Sequence, residues 1–253
     1  EHPEPTASTR PAKPSPHAMS LTIAWHNTFQ SPRRTLTAAA GICFAVLLLF
    51  MQIGFLQSVG RICTRLYDVL EFDLILTSDK YQILDEAGRF DAARLVQART
   101  VPEVAATGAV SIGRAMWKDL ESEVVSSLLL IGVETDPRFM REPSVRAKLP
   151  VLEGPRAIVV DRLSHRNLGP IFLGRRVEVN EQEVELAGVF DLGLGIYREG
   201  SALVANRNYP RLTREPGRLI SFGLLRLDPG ADPAAVAAAL RRTLPADVLV
   251  FER

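Results

Sequence analysis
Between Thr35 and Gly60 the chain reads TLTAAAGICFAVLLLFMQIGFLQSVG, twenty-six residues without a charge, with Arg33 and Arg34 before it and Arg61 after it. As a helix the run would be roughly 39 Å long at about 1.5 Å per residue, more than the ~30 Å hydrocarbon core of a bilayer requires. A helix buried in a water-soluble domain rarely stays apolar on every face for about seven turns, so the pattern predicts a membrane span. The run is longer than the apolar part of a signal peptide and no small-residue cleavage site follows it. A retained anchor is therefore expected.

The pattern changes on both sides of this run. Upstream, Leu21, Trp25 and Phe29 recur every fourth residue in LTIAWHNTFQ. This places them on one face of an amphipathic helix over 20–32, with Trp25 and Phe29 as anchors in the membrane interface and Arg33 and Arg34 at the headgroups. Ser31-Pro32 separates it from the span, because the residue before a proline disfavours helix. Downstream, Ile62, Leu66, Val69 and Leu70 continue the helical period to about residue 71 and predict a rigid extension into whatever follows. Inside the span, Gln52 needs a hydrogen-bond partner in hydrocarbon, and Gly41, Gly54 and Ser58 are small enough for another helix to approach. These four residues are the helix-packing candidates.

Beyond residue 71 short strands alternate with helices. FDLILTS (72–78) predicts a buried strand, FDAARLVQAR (90–99) a helix and ATGAVSIGRAMW (106–117) a strand. LISFGLLRL (219–227) predicts another strand, Asp232 caps a helix through Arg242 with Pro233 at its first position, and DVLVF (247–251) is a last strand. Two β-α-β units at the two ends of this region predict a split ferredoxin-like lobe of 72–118 and 215–253, in an α+β domain. Between them, 119–214 reads as an inserted β-rich lobe. It contains a strand at 124–135, a strand running into a helical turn at 155–169, and a hairpin over 175–190 that turns at Asn180 to Gln182. Residues 1–19, with Pro3, Pro5, Pro11, Pro14 and Pro16 and few apolar side chains, are expected to be a disordered tail. Met19 is the expected native start.

Composition narrows the function. Thirty basic and 29 acidic side chains give no overall field to attract nucleic acid. The two cysteines, Cys43 and Cys63, fall roughly 30 Å apart on one helix, too far for a disulfide. No P-loop, HExxH or CxxC motif is present, and the four histidines are scattered, so no catalytic, metal or cofactor site is assigned. Asp161 and His165 have the spacing of a proton relay without a nucleophile nearby and are read as a solvated helix start. Asp191 to Ile196 is read as a hairpin exit and not a glycine-rich cofactor loop. The positive charges flanking the span nearly balance, and Arg10 and Lys13 tip the amino terminus toward the cytoplasm.

Several runs resemble one family. Ala40 to Val46, Phe50 to Phe55, Asp73 to Leu76 with Tyr81, Asp161 to Ser164, Leu168 to Ile171 and Gly188 to Gly193 are similar, in order, to stretches of the DevC-type permeases of ABC exporters, relatives of the MacB and FtsX permeases. The resemblance implies a first membrane span at 33–71 followed by a periplasmic domain, in the inner membrane with a cytoplasmic amino terminus, and three further spans beyond Arg253. It also implies a homodimer that works with a separate ABC ATPase subunit, a periplasmic adaptor and an outer-membrane channel to export a lipid, glycolipid or other amphiphile. An FtsX-like regulator of a cell-wall hydrolase and a single-pass binding module are the alternatives. The downstream sequence and the neighbouring partners discriminate among the three.

Overall fold
Helix α1 spans Pro32–Val69, opening on a proline whose missing N–H costs nothing at a first helical position. The computed structural model describes residues 32–84, 86–164, 168–191 and 199–253, without the side chains of 32 and 57–64. The chain divides into two units, Glu1–Ser58 and Val59–Arg253. Among the described residues the first unit is the amino-terminal part of α1. The second is an α+β domain, the fold class expected from the sequence.

In that domain, strand β1 (Leu74–Ser78) is followed by a two-residue strand β2 (Phe90–Asp91), helix α2 (Ala93–Ala98) and the long strand β3 (Val104–Lys118). Near the carboxy terminus come β10 (Phe222–Leu227), helix α6 (Pro233–Thr243) and β11 (Val248–Glu252). The strands lie in the order β11-β1-β10-β3, and every neighbouring pair is antiparallel. That is the order of a ferredoxin-like sheet split between the two ends of the region. Side chains alternate across the pleat. Leu74 and Leu76 join Leu95, Val236, Leu240, Val248 and Val250 in the core with the two helices, while Ile75 points into a separate core with Phe222. Helix α2 lies so close to the sheet that a Cβ on Gly223 would stand 2.6 Å from Leu95 Cδ2.

The sequence supplies the helix starts. The Asp232 carboxylate accepts from Ala234 N at 3.1 Å, with Pro233 at the first position of α6. Replacing Asp232 with alanine is expected to cost about 1 kcal/mol of stability, read as a small drop in melting temperature. A variant that melts unchanged would show that the cap is not holding the helix.

At residue 111 strand β3 changes partners. Val104–Val110 pair with β10, and Ser111–Lys118 pair with β4 (Val125–Val133). From β4 the ladder continues through β8 (Gly200–Ala205), β5 (Ala157–Asp161), β7 (Gln182–Phe190) and β6 (Arg176–Val179), and β6 returns to β3 at Trp117↔Val179 and Lys118↔Glu178. These six strands close on themselves as a small barrel. Its interior is filled by Trp117, Leu128, Leu130, Ile158, Val160, Val184 and Leu186. The alternate residues Leu129, Ile131, Val159 and Leu203 point outward into the core that also holds Phe222. They are covered there by two one-turn helices, α3 (Pro143–Arg146) and α4 (Leu149–Leu152). A third short helix, α5 (Tyr209–Thr213), and the two-residue strand β9 (Leu219–Ile220) lead back to β10.

The β6–β7 hairpin turns through Asn180 and Glu181 with φ of 48° and 66°. Two successive positive φ angles are the geometry of a type I′ turn, which Asn tolerates better than most residues. The Asn180 side chain also accepts from Met116 N at 2.8 Å and donates to Leu212 O at 2.9 Å, tying the turn to β3 and α5.

Candidate functional site
The first candidate is the exposed part of α1. Arg33–Leu56 is 24 residues long with a mean hydropathy of 2.3, and none of its most apolar window is covered by protein. Phe50, Met51, Phe55 and Leu56 are each more than two-thirds exposed. A continuous uncovered apolar surface of this size marks a contact with lipid or another protein. By length and composition the segment is able to cross a membrane.

The packing candidates fall on two faces. Gly41 and Gln52 are eleven residues apart, about three turns, and share a face, whereas Gly54 follows Gln52 by two residues and lies across the helix with the backbone of Ser58. A Cβ added to Gly41 or Gly54 would meet nothing within 4 Å, and Gln52 is exposed. Cys43 is exposed as well, and Arg33 and Arg34 are exposed in the first turn. The Ser58 side chain, Trp25 and Phe29 lie outside the described residues.

The second candidate is the carboxy-terminal end of α1, inside the Val59–Arg253 unit. Leu66 and Leu70 are buried beside Phe72, Ile75 and Phe222, so the apolar period continues into the domain core as expected. The last carbonyls of a helix have no partner within it. Here Val69 O accepts from Arg141 N at 2.8 Å and Glu142 N at 3.3 Å, and Leu70 O accepts from Arg253 Nη1 at 3.1 Å. Glu71 follows at once and receives Arg141 Nε at 2.8 Å and Arg226 Nη1 at 3.0 Å, with Arg253 at 3.8 Å. Asp73 also takes Arg226 at 3.2 Å and accepts from Leu227 N at 2.8 Å. The hydrogen bond from Arg141, ahead of the opposing effect of partial burial, holds the Glu71 carboxyl below its ordinary range. Arginines from three distant parts of the chain thus clasp the point where α1 ends. No local motif announces them, since Arg141, Arg226 and Arg253 lie 70, 155 and 182 residues from Glu71.

A third feature lies at one end of the barrel. Arg175 and Asp119 form an ion pair at 2.5 Å with both side chains about 95% buried. Arg175 also donates to the carbonyls of Leu168 and Pro170, and Trp117 Nε1 donates to the same Leu168 carbonyl at 3.2 Å. Hydrogen bonds from Ser122, Glu121 N and Arg175 outweigh burial and lower the Asp119 pKa.

Asp161 corrects an expectation. It is 1% exposed, not solvated, and it ends β5, accepting from Ser201 Oγ at 3.1 Å and Leu163 N at 3.0 Å. His165, four residues on, and the Leu192 to Ile196 stretch lie outside the described residues. No group of three or more His, Cys, Asp or Glu side chains able to hold a metal occurs among the described residues.

No protein-family model and no curated protein matches the sequence. Solved structures do. The periplasmic region of MacB from Actinobacillus actinomycetemcomitans aligns over 76% of this chain and 94% of its own, with a TM-score of 0.50 at 9% identity. The extracellular domain of the noncanonic ABC-type transporter YknZ from Gram-positive bacteria aligns over 72% and 99%, with a TM-score of 0.46 at 16% identity. A domain of a protein assigned as a permease from Porphyromonas gingivalis aligns over 71% and 86%, with a TM-score of 0.44 at 16% identity. At such identities a likeness is one of fold, and the MacB region carries it here. The chain has an apolar amino-terminal helix followed by a domain of that fold.

Proposed function
We propose that this chain is a membrane-anchored permease subunit of an ATP-driven ABC exporter of the MacB and DevC kind. In this reading α1 crosses the inner membrane with the amino terminus in the cytoplasm, and the α+β domain lies in the periplasm. ATP hydrolysis on a separate ATPase moves α1, and the clasp at Glu71 carries that movement into the sheet. The permease works as a homodimer with a periplasmic adaptor and an outer-membrane channel, and its cargo is a lipid, glycolipid or other amphiphile. Gly41 with Gln52 on one face, and Gly54 with Ser58 on the other, receive the neighbouring helices.

The observation that carries this reading is an uncovered 24-residue apolar helix leading into a domain with the fold of the MacB periplasmic region. Cysteine pairs placed on the α+β domains of two copies test it, in membranes that contain the co-expressed ATPase. The cross-linked fraction should differ between nucleotide-free and ATP-bound complexes. Failure of the chain to retain an ATPase, or cross-links indifferent to nucleotide, would sink the reading in favour of an anchored binding module.

A further inference from the structure
On the side of the ferredoxin-like sheet opposite α2 and α6, a cavity of about 450 Å³ opens at the edge strand β11. Four aromatic rings, Tyr67, Phe72, Tyr81 and Phe251, make most of its wall together with Ile75. The rings are held in place by one another. The Tyr67 and Tyr81 hydroxyls are hydrogen-bonded at 3.1 Å, and both rings pack on Phe222 with centroids 5.9 and 5.8 Å away. Thr77, 4% exposed, belongs to the same wall, and its Oγ1 has no hydrogen-bond partner.

The mouth carries two carboxylates and one guanidinium. Asp68 and Glu252 line the cavity and are exposed, and among the described residues neither carboxylate stands in an ion pair, although the Asp68 charge helps to raise the Arg141 pKa. Arg253 also lines it, but its guanidinium is already committed to the Leu70 and Tyr67 carbonyls, to Glu71 and to the face of Phe72 at 5.0 Å. Aromatic faces attract cations, and the attraction grows where water is excluded. A volume of this size suits a small organic molecule.

We infer that this cavity binds an apolar organic cation, an ammonium group on a hydrophobic body. The body lies against the four rings, and the ammonium sits at the mouth between Asp68 and Glu252. The binding needs no ATPase, so it is measured without the exporter's partners.

The test uses the full chain in non-ionic micelles, titrated calorimetrically with three matched probes: 4-phenylbutylammonium, 4-phenylbutanol and 4-phenylbutanoate. Micelles without protein give the background. The cation should bind at least about tenfold more tightly than the anion, with the alcohol between them. Asp68→Asn combined with Glu252→Gln changes two exposed side chains without altering their shape. It should weaken the cation about tenfold and erase the discrimination, while Glu121→Gln, an exposed acid elsewhere, changes neither. Equal binding of all three probes would reduce the site to a non-selective apolar gap and overturn the inference. So would heats no larger than those of empty micelles, or a double variant that binds the cation as before.

Discussion
Trp117→Ala is expected to lower stability by about 4 kcal/mol, the largest effect of any single substitution proposed for this chain. Trp117 has 0% of its surface exposed, sits in the interior of the barrel, and belongs to the short β3–β6 pairing that closes it. Removing the indole leaves a void among side chains contributed by all six strands. It also takes one donor from the Leu168 carbonyl. In a domain of this size a loss of 4 kcal/mol corresponds to roughly 8–16 °C in melting temperature, measurable by circular dichroism on the full chain in micelles. Trp117→Phe should recover more than half, because it restores apolar volume but not the hydrogen bond. A Trp117→Ala protein that melts within a degree or two of the parent would mean that the barrel is not closed and packed as described.

Arg175→Ala comes second, at about 3 kcal/mol. The pair with Asp119 lies out of solvent, and removing one member strands the other charge in a place built for two. The penalty belongs to the orphaned carboxylate. Arg175→Ala combined with Asp119→Ala should therefore lose clearly less than the sum of the two single variants. The pH dependence follows from the lowered Asp119 pKa. A carboxyl whose folded pKa is below its unfolded value contributes stability above the unfolded value and loses it as pH falls through the folded one. The parent should thus lose this contribution below about pH 4, and Asp119→Asn should show a shallower loss over that acid range. Strictly additive single variants would show that the two side chains do not act on each other.

Local rules made much of this fold legible. Continuous apolar runs marked β1 and β4, alternation marked the β6–β7 hairpin and much of β3, Asp232-Pro233 marked the start of α6, and Asn180 marked the turn. The ferredoxin-like pattern was visible because each β-α-β unit is short and continuous. The strand expected over 219–227 breaks at Ser221 into β9 and β10, and the helix expected from residue 90 begins as β2, since tertiary pairing of Phe90 with Ile220 outweighs local preference. Strand β8, GSALVA, carries no alternation because both of its faces are buried. Barrel closure depends on Trp117 meeting Val179, a pairing that no sequence period encodes. The same holds for the clasp at Glu71, whose arginines are scattered through the chain.

Ser221 gives the architecture a further meaning. Its hydroxyl accepts from Ile112 N at 3.0 Å and its own N–H donates to Val110 O at 3.0 Å, at the point where β3 passes from one half of the domain to the other. Ile112 and Ser221, 109 positions apart, thus mark neighbouring points where the intervening chain leaves and rejoins the ferredoxin-like half. A segment whose ends meet within a hydrogen bond can change length over generations without pulling its host apart, so long as the core that Leu129 and Ile131 share with Phe222 is kept. In such a lineage the ferredoxin-like half is the part free to stay constant while the barrel diversifies.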